Sequence, residues 1–100
     1  MKVNVMTKSE LLFSIDFGIR SMEFACADDS NYVATFVDEN NETWRFTASR
    51  RVVLEHVERF TKKPEKYLTN KALVVSHFHH MAMAWYAKTH LPKRDLEMLT

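Results

Sequence analysis

One glycine, two prolines and one cysteine serve all 100 residues. Each scarcity excludes something. A chain with a single Gly has no glycine-rich loop to cradle a phosphate. A lone Cys26 rules out an intrachain disulfide and a cysteine-based zinc site. So few breakers, beside 46% hydrophobic and 27% charged residues, argue for a folded, loop-poor domain rather than disorder. No apolar run approaches the roughly 20 residues that a spanning helix needs. No basic-then-apolar leader follows Met1. Together these points lead to the expectation of one domain over residues 1–100, cytoplasmic, with no membrane partner.

Catalytic patterns are missing as well. Cys26 lies in the alternating stretch "EFACA" and reads as a small buried hydrophobe. Ser76 and His77 are neighbours, but neighbours on a helix point about 100° apart. Asp28 and Asp29 fit a turn better than an acid/base pair. The expectation is a protein that is not an enzyme and carries no cofactor.

What is present falls into two halves. Residues 1–48 carry four basic and eight acidic side chains, a balance of −4, whereas residues 49–100 carry ten and five, a balance of +5. The plain reading is mutual attraction within one fold; the functional reading is a surface divided by charge. The hydrophobic period divides at the same place. In the first half, "YVATFV" (32–37) and "TWRFT" (43–47) flank the loop "DENNE", which predicts a β-hairpin. Tyr32, Ala34 and Phe36 share one face, and Val33, Thr35 and Val37 the other. Asp28 to Asn31 form a turn cluster.

Residues 8–24 carry two conflicting signals. Leu11, Phe13, Ile15, Phe17 and Ile19 alternate at strand period. Thr7 and Glu10 fit a helix capping box, and Leu12, Ile15, Ile19, Met22 and Cys26 fit a helical stripe. The length of the alternation favours strands. From residue 49 the period is helical. Ser49 caps a helix running to about Lys62, with Val53, Leu54, Val57 and Phe60 inward. Glu55–Arg59 and Glu58–Lys62 are i,i+4 pairs. A second helix runs from about Glu65 or Thr69 to Thr89, with Val74, Phe78, Met81, Ala82 and Trp85 as its core stripe. Leu91-Pro92 stops it, and residues 93–99 suit a last turn that docks Leu96 and Leu99. The fold class expected is α+β: an antiparallel meander of three to four strands, then two main helices on one face.

"SHFHHMAMAWYAKTH" (76–90) holds four of the five histidines. On a helix, only His77 and His80 share a direction, while His79 points toward the side of Tyr86. With His56 from the preceding helix, His77 and His80 form a conceivable divalent-metal set. Histidines that rim a helix interface more commonly satisfy a hydrogen bond. Met81 and Met83 diverge, which argues against a copper site.

Arg51, Arg59, Lys62, Lys63 and Lys66 form a candidate phosphate-contacting edge for a nucleic-acid partner. The interleaved Glu55, Glu58 and Glu65 weaken it. The remaining class is a module that binds another protein as inhibitor, adaptor or regulatory subunit, of bacterial or phage type. Seven Phe, three Tyr, two Trp and six Met are more than a domain of this size readily hides. Asp38, Glu39 and Glu42 in the hairpin loop, with Tyr67, Met83 and Tyr86, are the expected exposed contacts. Homodimerisation through Ala84 and Ala87, or through edge strands, is a related possibility.

Overall fold

The computed structural model describes residues 7–28, 30–90 and Pro92, without the side chain of Ala27. The expected docking of Leu96 and Leu99 lies outside these residues. Seven elements follow one another: α1 (Lys8–Phe17), β1 (Ile19–Asp28), β2 (Asn31–Asp38), β3 (Thr43–Ser49), α2 (Arg50–Phe60), α3 (Glu65–Leu68) and α4 (Lys71–Thr89). The three strands form an antiparallel sheet in the order β1-β2-β3. The fold is α+β, as the change of period near residue 48 predicts.

The first element corrects the sequence reading. Residues 8–17 are a helix, not a strand. Thr7 caps it, its hydroxyl accepting from the Glu10 amide at 3.2 Å. Gly18 ends it in the left-handed region, at φ 64°. The alternation misleads because α1 is apolar on two sides. Phe13, Ser14 and Phe17 turn inward, while Leu11, Leu12 and Ile15 lie exposed on the opposite arc.

The expected hairpin forms, with Phe36 opposite Trp44 and Ala34 opposite Phe46. Asp38 organises its turn. One carboxylate oxygen accepts from the amides of Asn40 and Glu42, each at 2.9 Å, and the other from the Trp44 indole at 3.1 Å. Asn41 takes the left-handed conformation that the turn requires, at φ 63°, which Asn tolerates better than most residues. One sheet face carries Met22, Phe24, Tyr32, Ala34, Phe36, Trp44 and Phe46 into the core; Ser21, Glu23, Arg45 and Thr47 lie exposed on the other.

α4 lays Val74, Phe78, Ala82 and Tyr86 against that inner face. α2 adds Val53 and Val57, and its N-cap is Ser49, whose hydroxyl accepts from Val52 at 3.1 Å. Three burial expectations need correction. Phe60 is exposed rather than in the core, because α2 ends there and its ring leans on His56. Cys26 is exposed at the end of β1, where its thiol donates to the Asp28 carbonyl. The core row of α4 runs through Tyr86, with Met81 and Trp85 on its partly buried flank.

Gly18 offers a direct test of the α1–β1 junction. A Cβ there would lie 3.0 Å from the Glu39 side chain, on a backbone that side chains rarely adopt. Gly18→Ala is expected to cost about 1–2 kcal/mol in denaturant unfolding. A stability equal to the parent chain would contradict the helix stop.

Candidate functional site

Two helices bring His56 and His77 together. The Nδ1 of His56 lies 2.6 Å from the Nε2 of His77. At that separation the two nitrogens share one proton, one ring donating and the other accepting. Tyr67 of α3 stands edge-on to His77, with ring centroids 5.9 Å apart. His77 thus sits where α2, α3 and α4 converge. Its pKa is held below 6.5, first by burial and then by the neighbouring imidazoles of His56 and His80. Only the accepting ring of such a bond must be neutral, and the lowered pKa suits His77 to that role.

The pair opens onto a depression of about 400 Å³ between β3, α2 and α4. Phe46, Met81, Ala84 and Trp85 make its apolar surface; His56, His77, His80 and Lys88 supply its polar atoms. His80 therefore faces the same space as the pair, as the helical wheel predicts. The three do not form a ligand set: among the described residues no group of three His, Cys, Asp or Glu is placed to hold a metal. Two imidazoles on one tetrahedral zinc would stand roughly 3.3 Å apart, from bond lengths of about 2.0 Å. At 2.6 Å the pair is a hydrogen bond.

His79, set aside in the sequence reading, joins three elements. Its ring stacks on Phe24 of β1 with centroids 3.8 Å apart. Its Nδ1 lies 3.6 Å from a Glu10 carboxylate oxygen of α1. Burial lowers the His79 pKa, and Glu10 opposes that shift without cancelling it. The signal available in the sequence was the capping-box glutamate, which fixes Glu10 on a helix rather than a strand.

The expected partner contacts separate. Tyr86 is 1% exposed, ringed by Phe13, Phe17, Phe36 and His90. That corrects its reading as a surface contact: α1, once recognised as a helix, is what covers it. Burial, then Asp38 and Glu42, push the Tyr86 hydroxyl pKa up. Asp38 is partly buried and committed to its own turn. Burial works to raise its pKa, but the bonds from Trp44, Glu42 and Asn40 and the field of His90 hold it below 3.8. Glu39 and Glu42 are exposed, whereas Tyr67 and Met83 are half-buried.

The basic residues separate too. Arg51 lies at the start of α2, 3.2 Å from Glu55, so Glu55 reaches back to Arg51, in the less favourable order for a helix pair. Arg59, Lys62, Lys63 and Lys66 are exposed around the α2–α3 connection, with Arg59 roughly 12 Å along the helix from Arg51.

The two lowered histidines set the sign of a pH effect. Each takes up a proton more readily when unfolded, with an ordinary value of 6.5, than when folded. Their contribution is complete above that value and is lost as pH falls through it. The unfolding midpoint is expected to drop between about pH 7 and pH 5, and His77→Gln is expected to flatten that slope. The loss from Asp38 falls in a separate window, below 3.8. An unchanged slope in His77→Gln would contradict the buried neutral ring.

Compared with protein-family models, curated proteins and solved structures, the chain matches none.

Proposed function

We propose that this chain is a small non-enzymatic module that binds a protein partner, acting as an inhibitor, adaptor or regulatory subunit in the cytosol. The observation that carries the reading is the outer arc of α1. Leu11, Leu12 and Ile15 are 50%, 54% and 63% exposed. At about 100° per residue they fall within one third of the helix circumference. Scattered exposed apolar residues are ordinary, but a contiguous patch of large ones marks a contact surface. The inner arc of the same helix already fills the core through Phe13 and Phe17, so the outer arc is not needed for folding.

The contact surface therefore shifts from the one read in the sequence. Asp38, Tyr67 and Tyr86 serve the fold; Glu39, Glu42 and Met83 remain candidates for the rim. A partner with an apolar groove suits the outer arc of α1, by the helix-in-groove mode. A second copy of the chain is one such partner, and β1 and β3 are the sheet edges among the described residues. One exposed free thiol, Cys26, suits a reducing compartment. No helix among the described residues is long and apolar enough to cross a membrane.

A second reading rests on Arg59, Lys62, Lys63 and Lys66. Their exposure supports phosphate contact, and Glu58 and Glu65, also exposed beside them, count against it.

The test is affinity isolation of the full chain from its host, beside the double variant Leu12→Glu/Ile15→Glu. One stoichiometric protein, or a second copy of the chain, is expected with the parent and lost with the variant, while both unfold at the same midpoint. Retention by the variant would overturn the α1 surface. Salt-steep nucleic-acid binding that disappears in Lys62→Ala/Lys66→Ala would replace the reading.

A further inference from the structure

The depression beside the His56–His77 pair has the composition of a ligand site, independently of the α1 surface. His77, Met81, Ala84 and Lys88 follow one another up one face of α4, with His80 to one side and Trp85 to the other. From His77 to Lys88 the face runs roughly 16 Å. Imidazoles gather at one end and an ammonium stands at the other. Between them lie Trp85 and Phe46, whose ring centroids are 5.5 Å apart at an interplanar angle of 32°. The floor is Ala84, exposed, where a small side chain leaves space for a guest. Among the described residues no carboxylate lines the site.

We propose that this trough binds a small planar aromatic anion, its ring against Trp85 and Phe46 and its carboxylate toward Lys88. Three observations select that class. A volume of about 400 Å³ is at the small end of the usual range for ligand pockets. Aromatic walls favour a flat ring, stacked or edge-on. The polar groups named at the site are nitrogens: an obligate donor in Lys88, His80, and the His56–His77 pair, whose accepting ring keeps its own N–H free. The charge of Lys88 attracts an anion and repels an ammonium. The His56–His77 bond fixes the far end, since each ring orients the other across two helices. A ligand with a second polar atom, such as a ring hydroxyl, meets that end without displacing the pair.

The test uses the full chain, isotope-labelled, in amide NMR titrations with 2-naphthoate and with 2-naphthylmethylammonium. Saturable shifts are expected for naphthoate, centred on Phe46, Ala84 and the Trp85 indole N–H. The ammonium probe is expected to bind at least about tenfold more weakly, and Lys88→Glu to raise the naphthoate Kd about tenfold, the scale of reversing one partly exposed charge. Ala84→Phe fills the trough and is expected to abolish the shifts. Both substitutions are at exposed positions of α4, so unfolding midpoints near that of the parent are expected alongside. Shifts that do not saturate, that centre elsewhere, that are equal for the two probes, or that survive both substitutions would overturn the proposal.

Discussion

Two rows of side chains with matching spacing hold this molecule together. On β2, Tyr32, Ala34 and Phe36 face inward; on α4, Phe78, Ala82 and Tyr86 face them. Eight residues of helix rise about 12 Å, and four of strand rise about 13 Å, so the rows keep step. Tyr32 meets Phe78 with ring centroids 5.2 Å apart, and Phe36 meets Tyr86 at 4.8 Å. Between the aromatic contacts lie Ala34 and Ala82, both fully buried. Small side chains at the middle of each row let the helix approach the sheet while the large ones interlock at either end.

The rest of the arrangement depends on that contact. With the inner row of α4 spent on the sheet, its flanks carry everything else. One flank holds His79, and α1 covers it together with the end of the row at Tyr86, through Glu10, Phe13 and Phe17. The other holds His77, His80 and Lys88, which α2 and β3 convert into a trough. α1 completes the core with one side and leaves Leu11, Leu12 and Ile15 on the other. The trough and α1, which bears the apolar arc, thus lie on different flanks of α4, which allows each to be altered without the other.

How much of this was readable in the sequence depends on whether a signal was local. The hairpin, the Ser49 cap and the long second helix each rest on spacing within a few residues, and each appears in the fold, although the helix expected from about Glu65 or Thr69 is divided into α3 and α4, with Asn70 capping the second. The nature of residues 8–17 was not decided by periodicity, because apolar residues surround that helix and satisfy period 2 and period 3.6 alike. The better signals were its ends, Thr7 with Glu10 and then Gly18. Tyr86 was misplaced for a related reason. Steps of 3 and 4 from Phe78 lead to Met81 and Trp85, steps of 4 to Ala82 and Tyr86, and only the position of α1 selects between them. The His56–His77 contact was readable as a possibility from each helix's edge. Spacing along a helix does not fix whether His80 joins the pair as a ligand, and among the described residues no three-residue set forms.

The most direct test of the row-matching account is the unfolding free energy of Ala82→Leu beside that of Ala87→Leu, by denaturant titration. Both add the same group to the same helix. At the closest point between α4 and the sheet, Ala82→Leu is expected to cost about 1–3 kcal/mol through overpacking. At exposed Ala87 the same change is expected to fall within about 0.5 kcal/mol of the parent. Equal effects at the two positions, or a neutral Ala82→Leu, would mean that the helix and sheet do not meet along these rows.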